Sequence, residues 1–497
     1  MGTGAIAIHR ARFARFHELR GLLSSTPCPD GVLLGTKRFF LFFNRFIVVR
    51  PTKKRAEIGN LLIVAPTRLG KGLQANSQLL SWKHSVIVND IKGDLFTQTA
   101  GYRATLGNVY VIDPTGIGHC YDPLLSKRTE DEFYSAAAQL LFQANENDKV
   151  FTQRATGMLA RLFAAARIEA VAPFPYVRFL IRSGLRTTAA RLNRVDPSLA
   201  TQFLYVDYND ANFENKFLLS AWETLTARMT PLVTETVVRC FTHADFTAEH
   251  IMRSSKPVTV YLRWKEQDLL ALSPLVRLLW GSLINELITT YDTNQGKGCQ
   301  PVLLLIDEAG RTAIPALADH ATTVVGRHIY LSIYIQSLSQ LEAVYGKAHA
   351  QVLRDNMESQ MYYRPTDLAT AQYLEVRCGK QSAYAHSTTE RGGAETSEGL
   401  TEQSIPLLTS QDILQQGDEE IICFHRHLPP FRMRRMDWRQ HPTLKQRRNI
   451  PAPQLPTLPP IADIPASTIQ SQKTHSPDRF ADPDMIHADE QEEDRLN

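Results

Sequence analysis

Short, strongly apolar runs alternate with longer segments of helical periodicity in two parts of the chain, residues 31–126 and residues 251–445. The first part contains the runs GVLLG, NLLIVA, SVIVND and NVYVID, and the second contains KPVTVYLRW, PVLLLIDEAG and HIYLSIYIQS. Buried strands of this kind, separated by helices, are typical of a parallel sheet that is covered on both faces. The pattern therefore predicts an α/β domain with a central, mostly parallel sheet.

The region between these two parts, residues 127–250, has apolar positions at helical spacing and few strand-like runs. Its segments include DEFYSAAAQLLFQA, RATGMLARLFAAARIEA and NKFLLSAWETLTARMTPLV, and each places apolar residues along one helical face. We therefore expect an all-α domain inserted into the α/β domain.

The two ends differ from the body of the chain. Residues 1–30 form a basic segment, in which HRARFARFHELR predicts an arginine-bearing helix before a Pro-rich loop. Residues 446–497 begin Pro-rich and end acidic, a composition that predicts a disordered tail. The run RFFLFFNRFIVVR is broken by Asn44 and Arg45 and is shorter than the roughly 20 apolar residues of a membrane span. It predicts two adjacent strands with a tight turn, and an interfacial membrane anchor is the alternative.

The composition is that of a soluble globular protein, because 43% of the 497 residues are hydrophobic and 21% are charged, which excludes a fibrous or wholly disordered chain. The net charge is +4. A basic start and an acidic tail suit an anionic polymer as partner, although solvated surfaces account for the same charges. The six cysteines are scattered without a C-x-x-C pair, which argues against a disulfide framework or zinc site and for a reducing compartment. No secretory signal is recognisable.

The stretch Asn60–Gln74, NLLIVAPTRLGKGLQ, nearly matches the P-loop pattern G-x-x-x-x-G-K-[ST]. Consecutive backbone N–H groups of such a loop surround phosphate groups, and the lysine, here Lys71, reaches the outer phosphates. Ala65 replaces the first glycine, which is acceptable at a negative φ. Gly72 replaces the hydroxyl residue that normally binds Mg²⁺, so water and a carboxylate from elsewhere would have to take its place. A glycine-containing turn between a strand and a helix is the alternative. The nucleotide-binding residues predicted from this loop are Ala65, Pro66, Thr67, Arg68, Leu69, Gly70, Lys71, Gly72 and Leu73.

The aliphatic run PVLLLIDEAG ends in Asp307 and Glu308, as a Walker B strand does. Asp307 would orient Mg²⁺ and its waters, and Glu308 would polarise the attacking water. A buried strand capped by two solvated acids is the alternative. Because the loop and the acids each follow a buried strand, together they predict a site for ATP and Mg²⁺. Arg327 is a candidate for the arginine that a neighbouring subunit supplies to the transition state, and Gln336 is a candidate sensor of the γ-phosphate. A surface arginine and a polar residue at the end of a strand are the alternatives.

Several motifs, taken in order, resemble the type IV coupling protein family, the TraG-like ATPases of conjugation and type IV secretion. They are VAPTRLGKGLQ, VNDIKGDLFTQTAGYR, VIDPTG followed by YDPL, LLIDEAGRTAIPAL, IYIQSLSQLEAVYG and NMESQMYYRPTDLATAQYL. The likeness runs from about Gly31 through PPFRMRRMDW. It implies a RecA-like P-loop NTPase domain with an all-α domain, and a homo-hexamer around a central channel. It also implies ATP hydrolysis that moves single-stranded DNA, with its attached relaxase, towards the secretion channel.

The resemblance implies site roles by position for Lys71, Asp307, Glu308, Arg327 and Gln336. Lys71 matches the P-loop lysine and Asp307 with Glu308 the acidic pair. Arg327 matches the candidate arginine finger, and Gln336 matches the strand-end glutamine.

The resemblance implies no chemical role for three other positions that match the family, Gly72, Asp90 and Lys92. The G-K-G sequence is common in the family, so Gly72 resembles a family trait. Asp90 and Lys92, in NDIKGD, match a family motif near the nucleotide, and no chemical role is assigned to them.

Family members usually begin with transmembrane helices, and we predict none in this chain. We therefore expect a cytoplasmic protein that binds peripherally at the cytoplasmic face of the inner membrane. Either a separate membrane subunit recruits it or its basic N-terminus binds anionic lipid, and a soluble variant is the alternative. A receptor ATPase for protein effectors, or a non-catalytic nucleotide-binding scaffold, is the alternative function.

The predicted helical domain is rich in arginine and aromatic residues. The arginines could follow a phosphate backbone and the aromatic rings could stack on bases, with a solvated surface and a core role as the alternatives. The residues are Arg161, Arg167, Arg178, Arg182, Arg186, Arg191, Arg194, Phe163, Phe174, Tyr176 and Phe179.

Overall fold

The computed structural model describes residues 10–28, 30–39, 43–53, 55–142, 149–203, 215–311, 313–391 and 395–464. The chain divides into two compact units. We call Met1–Tyr121 with Ala244–Leu458 the α/β unit, and Asp122–His243 with Pro459–Asn497 the helical unit.

Most strands of the described residues belong to one large sheet. The strands are β1 (Leu23–Ser24), β2 (Val32–Phe39), β3 (Phe43–Val49), β4 (Leu61–Val64), β5 (Ser85–Asp90), β6 (Asn108–Ile112), β7 (Val258–Arg263), β8 (Val302–Ile306), β9 (Ile329–Ile335), β10 (Ser359–Tyr362), β11 (Lys380–Arg391), β12 (Glu395–Pro406), β13 (Glu420–His425) and β14 (Phe431–Arg434). Strands β11 and β12 form a separate two-stranded ribbon, and the large sheet has the order β1-β3-β2-β14-β13-β10-β4-β9-β8-β5-β7-β6.

The strands β10, β4, β9, β8, β5, β7 and β6 are parallel neighbours in this order, so their carboxyl ends share one edge of the sheet. The strands on the other side of β10 pair antiparallel. Every residue of β4, β8 and β9 is buried, as expected for strands covered on both faces. The predicted α/β class with a mostly parallel sheet is therefore confirmed.

The α-helices cover the sheet or form the helical unit. They are α1 (Lys71–Ser81), α2 (Asp94–Leu106), α3 (Glu130–Leu141), α4 (Lys149–Ile168), α5 (Pro173–Ser183), α6 (Leu185–Val195), α7 (Pro197–Ala200), α8 (Lys216–Met229), α9 (Glu235–Arg239), α10 (Ala248–Arg253), α11 (Leu269–Thr293), α12 (Leu317–Thr323), α13 (Leu338–Asp355), α14 (Leu368–Cys378), α15 (Ser410–Leu414) and α16 (Pro442–Arg448). Helix α10 belongs to the α/β unit, because the Ser85 hydroxyl donates to the Ile251 carbonyl at 2.7 Å. The helical unit therefore starts at Asp122, where the sequence predicts 127, and its main part ends at His243, where the sequence predicts 250.

Among the described residues, one helix, α11, is long and apolar enough to cross a membrane by length and composition. Its Trp280 and Leu283 are fully buried. The Trp280 indole N–H donates to the Asn89 side-chain oxygen at the end of β5, at 3.4 Å. These contacts are those of a core helix packed on the central sheet.

The prediction of a helix in the N-terminal segment is wrong for the residues that the structure describes there, from residue 10 onwards. Residues 11–19 form turns and irregular backbone, and a short 3₁₀ turn follows at Arg20–Leu22. The backbone N–H of Ala11 donates to the Lys380 carbonyl at 3.0 Å, and that of Ala14 donates to the Pro430 carbonyl at 2.9 Å. These long-range partners replace the bonds that a helix would make, which helical periodicity alone does not reveal.

The apolar run that follows agrees with its prediction, because β2 and β3 pair antiparallel from Val32 and Val49 to Phe39 and Phe43. The residues between them, 40–42, lie outside the described residues.

The predicted disorder from residue 446 begins too early. Helix α16 extends to Arg448, and Leu458 beyond it is 2% exposed. The Gly118 N–H donates to the Pro456 carbonyl at 2.8 Å, and the Leu458 N–H donates to the Gly116 carbonyl at 3.2 Å. A Pro-rich segment can therefore be ordered by packing and by its carbonyl groups, although proline has no N–H to donate. The remaining tail, 465–497, lies outside the described residues.

The helical unit packs around α4, with an aromatic core. The rings of Phe163 and Phe174 are 6.1 Å apart and those of Phe174 and Phe241 are 4.7 Å apart. Because Phe163, Phe174 and Tyr176 are fully buried, the suggestion that these rings stack on bases is wrong.

Two other residues that the sequence suggested for DNA contact, Arg191 and Phe179, also pack against residues of the helical unit. The Arg191 side chain is buried, forms an ion pair with Glu169, and lies over the Phe179 ring at 5.2 Å. Arg191 and Phe179 are therefore part of the packing of this unit.

Candidate functional site

The loop after β4 has the geometry of a phosphate-binding turn. The Ala65 N–H donates to the Ile335 carbonyl of β9 at 2.9 Å, which fixes the start of the loop to the neighbouring strand. Ala65 has no positive φ, so its Cβ is accommodated without strain. Gly70, with a φ of 101°, precedes the first residue of α1, Lys71. Only glycine adopts this conformation readily, so the sequence G-K places the lysine at the amino end of a helix.

The first turn of α1 also leaves room for an ion. Its leading N–H groups have no partner within the helix, and they point towards the loop. A Cβ built on Gly72 would meet no atom within 4 Å. The position where other P-loops carry a hydroxyl is therefore open, and water can enter there.

The acidic pair lies at the end of β8, next to β9 and one strand from β4. The Lys71 ammonium is 3.2 Å from an Asp307 carboxylate oxygen and also contacts the Glu308 carboxylate. The Gln336 amide, at the end of β9, donates to the other Glu308 oxygen at 3.1 Å. Four of the five predicted catalytic residues, Lys71, Asp307, Glu308 and Gln336, thus meet at one point.

The two carboxyl groups differ in their electrostatic environment. Burial raises the pKa of Asp307 above its ordinary value, although Lys71 opposes this shift. Burial also disfavours ionised Glu308, but the attraction and hydrogen bond of Lys71 hold the pKa of Glu308 below its ordinary value. Glu308 is therefore an ionised proton acceptor at neutral pH, and Asp307 is a partly buried carboxyl group that a further cation would stabilise in its charged form.

The backbone at Glu308 is also unusual, because its φ is 56°. The neighbouring Ala309 N–H donates to the Tyr334 carbonyl of β9 at 3.1 Å, and the Arg311 N–H donates to the Glu308 carbonyl at 2.8 Å. These bonds hold a conformation that non-glycine residues rarely adopt. Strand β9 therefore orients Glu308 towards Lys71.

Arg327, the fifth predicted catalytic residue, lies away from the other four. It precedes β9, whereas Gln336 follows β9, and the seven-residue strand between them spans roughly 20 Å. The Arg327 guanidinium forms two hydrogen bonds with Asp292, at 2.8 and 2.9 Å. Within one chain, Arg327 therefore lies at the amino ends of the parallel strands, whereas Lys71 lies at their carboxyl ends.

Comparison with known proteins agrees with this arrangement. Residues 52–458, more than half of the chain, match the family described as "Type IV secretory system Conjugative DNA transfer". The chain belongs to this family.

Relatives in this coupling-protein family resemble the chain over most of its length. Protein VirD4 of Rhizobium radiobacter is 26% identical over 454 residues, which cover 88% of this chain and 64% of VirD4. Conjugal transfer protein TraG of Escherichia coli is 24% identical over 451 residues, which cover 80% of this chain and 69% of TraG. The chain thus spans about two thirds of the length of these relatives.

Solved structures of the conjugative coupling protein TrwB have the same fold. Unbound TrwBdeltaN70 has a TM-score of 0.64 at 15% identity, and the match covers 87% of this chain and 95% of that one. TrwB in complex with ADP and Mg²⁺ has a TM-score of 0.62 at 14% identity, covering 87% and 96%. The predicted RecA-like P-loop NTPase fold with a helical domain is confirmed.

Two residues that the sequence did not single out support the site of this coupling-protein chain. Asn89, at the end of β5, donates to the Asp307 carbonyl at 2.7 Å. Arg435, in the segment after β14, donates from its guanidinium to the Leu69 carbonyl of the P-loop at 2.8 Å. Asn89 precedes Asp90 in NDIKGD and could have been noticed there. Arg435 had no signal beyond its place in PPFRMRRMDW, because its partner is distant in the sequence.

We predict that Arg435→Ala weakens the binding of Mg-ATP about tenfold. The reason is that a charge-assisted hydrogen bond contributes about 1.5–3 kcal/mol, and the Arg435 guanidinium lies beside Gly70, 2.8 Å from the place of an added Cβ. Titration with a fluorescent ATP analogue measures the change. Arg434→Ala is the matched control, because the Arg434 side chain is 60% exposed. Equal affinities of the two variants would contradict a role of Arg435 in shaping the loop.

Asp90 holds the start of α2 rather than the P-loop. Its carboxylate accepts hydrogen bonds from the Phe96 N–H at 2.7 Å and the Leu95 N–H at 3.3 Å. Burial raises the pKa of Asp90 to about 6, despite these two bonds. The charge of Asp90 is therefore costly in the folded state, and the residue has a structural role in the turn of NDIKGD.

The raised pKa of Asp90 gives a prediction about stability. The pKa of Asp90 is about 6 in the folded state and 3.8 ordinarily, so the folded state favours the protonated carboxyl group. The contribution of Asp90 to the unfolding free energy is therefore greatest below pH 3.8 and is lost as pH rises through about 6. The unfolding free energy of the wild type, relative to Asp90→Asn, should fall by roughly 2–3 kcal/mol between pH 4 and pH 7. Urea denaturation at several pH values measures it, with exposed Asp94→Asn as control. A pH-independent difference for Asp90→Asn would contradict the assignment.

Proposed function

We propose that the chain is an ATP-hydrolysing motor that couples a relaxase–single-stranded DNA substrate to a type IV secretion or conjugation channel. The observation that carries this proposal is the convergence of Lys71 with Asp307 and Glu308 at the carboxyl ends of the parallel strands β4 and β8, which β9 separates. Membership of the conjugative DNA transfer family supports the substrate class. The TrwB structures with ADP and Mg²⁺ and with a non-hydrolysable ATP analogue support ATP and Mg²⁺ as ligands.

The residues of the site fit a magnesium-bound nucleotide. The loop from Ala65 to Leu73 offers backbone N–H donors to the phosphates. Asp307 and the open space at Gly72 suit an ion that keeps several of its waters. Bound Mg²⁺ would offset the charge of the phosphates.

Lys71 and Glu308 would change partners when a nucleotide binds. Lys71 contacts both acids in this structure, and an outer phosphate would compete for its ammonium group. Glu308 would then be available to accept a proton from the attacking water, while the Gln336 amide keeps the carboxylate oriented. Gln336 is also placed to detect the γ-phosphate through this hydrogen bond.

Arg327 would act in a neighbouring subunit. Its distance from Lys71 along β9 excludes a contact within the same site, so a catalytic role requires assembly, as in a homo-hexamer. In such an assembly Arg327 would have to leave Asp292 in order to meet the transition state. We propose a peripheral location at the cytoplasmic face of the inner membrane, next to the channel components.

ATP hydrolysis, measured with and without single-stranded DNA while the oligomer mass is determined, tests this function. We expect Mg²⁺-dependent hydrolysis that single-stranded DNA stimulates and that rises as the hexamer forms. Hydrolysis by the hexamer that a secreted protein stimulates, and DNA does not, would favour a receptor for protein effectors. Tight ATP binding by the hexamer without turnover would instead favour a non-catalytic scaffold.

A further inference from the structure

A cavity of about 650 Å³ lies in the α/β unit beside the carboxyl ends of β5, β7 and β6. Its walls come from the loops that follow these strands, residues 91–93, 113–117 and 263–267. The cavity is on the same sheet edge as the P-loop, because β5 is the parallel neighbour of β8. The hydrolysis described above does not use it, and its size is within the usual range for ligand sites.

Two exposed lysines belong to the lining of the cavity. Lys92 follows β5 and Lys265 follows β7, and both are exposed. Two acids also line the cavity, but each is engaged by an arginine. Asp113 is 3.4 Å from the Arg263 guanidinium, and Glu266 forms an ion pair with Arg311. The lysines therefore set the charge that an incoming ligand would meet.

Two buried N–H donors belong to residues that line the same cavity. Within the described residues, the Arg263 Nε and the Trp264 indole nitrogen are buried and have no hydrogen-bond partner. Trp264 is 2% exposed. Buried donors in folded proteins are nearly always paired with protein or water, so these two N–H groups can pair with water or with a ligand acceptor.

The shape of the cavity is set by local hydrogen bonds. Asp113 accepts from the backbone N–H and the hydroxyl of Thr115, at 2.9 and 2.6 Å, which fixes the loop after β6. Gly93 has a φ of 73°, and an added Cβ would lie 2.9 Å from the Arg263 guanidinium. The leading amides of α2 are already bound by Asp90. Attraction of an anion would therefore come from the side chains and not from the helix terminus.

We propose that this cavity binds a backbone phosphate of single-stranded DNA, with Lys92 and Lys265 as the contacting cations. The proposal rests on the proposed motor function, in which single-stranded DNA is the substrate. A phosphate accepts hydrogen bonds from several donors at once, which matches two lysines beside buried N–H groups. The assignment also gives a role to Lys92, which lies in the NDIKGD motif.

A short series of contacts connects the rim of the cavity to the acidic pair, Asp307 and Glu308. Glu266 pairs with Arg311, and the Arg311 N–H donates to the Glu308 carbonyl at 2.8 Å. A phosphate held by Lys92 and Lys265 would lie one ion pair from the loop that carries Glu308. DNA bound at this place is therefore positioned to influence hydrolysis.

Binding of a fluorescently labelled thymidine oligonucleotide, measured by anisotropy at several salt concentrations, tests the proposal. In the double variant Lys92→Ala/Lys265→Ala, the slope of log affinity against log salt should become shallower by about 1. The matched control is Lys83→Ala/Lys256→Ala, which removes exposed lysines that precede β5 and β7 at the opposite sheet edge. The control should keep the wild-type slope, and all variants should melt at the wild-type temperature.

A second variant adds charge without removing a contact. Gln267→Glu places a carboxylate of nearly the same shape on the rim, and it should weaken oligonucleotide binding severalfold at low salt while the effect fades at high salt. Wild-type slope in the Lys92/Lys265 variant, or equal losses in both double variants, would overturn the cavity assignment and leave the motor function standing. If the wild-type chain binds no single-stranded DNA at low salt, both the cavity assignment and the DNA-motor function fail.

Discussion

Replacing Lys71 with alanine should abolish ATP hydrolysis, with a loss of at least about 100-fold in turnover. The ammonium group of Lys71 is the cation closest to both acids, at 3.2 Å from Asp307 and in contact with Glu308. Without it, an outer phosphate would face two carboxylates that have lost the ammonium group in contact with both. Mg-ATP affinity should therefore fall as well. A coupled assay of phosphate release measures turnover, and fluorescence titration measures affinity.

Lys347→Ala is the control for this variant, because Lys347 is an exposed lysine of the same unit, on α13. The thermal unfolding temperature of Lys71→Ala must also be compared with that of the wild type, since the variant leaves two neighbouring acids without their cation. A folded Lys71→Ala chain that hydrolyses ATP at the wild-type rate would refute the assignment of the P-loop.

Replacing Glu308 with glutamine should separate binding from hydrolysis. The amide keeps the shape of the side chain but accepts a proton poorly, so turnover should fall by about 10²–10⁴-fold. Removal of one of the two negative charges near Lys71 should leave Mg-ATP affinity unchanged or higher. The expected result is a chain that retains bound ATP and does not release phosphate.

The matched control for this variant is Glu223→Gln, at an exposed position of α8 in the helical unit. It should hydrolyse ATP like the wild type. If Glu308→Gln turns over normally, the general base lies elsewhere. If it loses ATP binding instead, Glu308 mainly organises the loop, and the assigned role in proton transfer is wrong.

The sequence predicted the sheet and most of the site for a clear reason. A P-loop and an acidic pair each depend on one apolar strand and a few adjacent residues, as at β4 with Lys71 and at β8 with Asp307. Such local patterns are visible without coordinates. Parallel strands also bring their carboxyl ends to one edge, so the meeting of Lys71, Glu308 and Gln336 follows from the topology.

The parts that the sequence did not predict depend on contacts between distant residues. Arg435 supports the P-loop from 366 positions away. The N-terminal segment has helical periodicity, but Ala11 and Ala14 bond to distant carbonyl groups. Leu458 is buried in a Pro-rich segment whose composition indicates disorder. Arg327 was proposed from its position in the chain, and its pairing with Asp292 depends on where α11 ends beside β9.

Equilibrium titration of the wild-type chain with a fluorescent ATP analogue, with Mg²⁺ and with EDTA, tests the central claim most directly. This measurement requires neither DNA nor assembly. We predict saturable, Mg²⁺-dependent binding that unlabelled ATP displaces. Absence of saturable binding up to millimolar nucleotide would contradict the claim that Lys71, Asp307 and Glu308 form a nucleotide site.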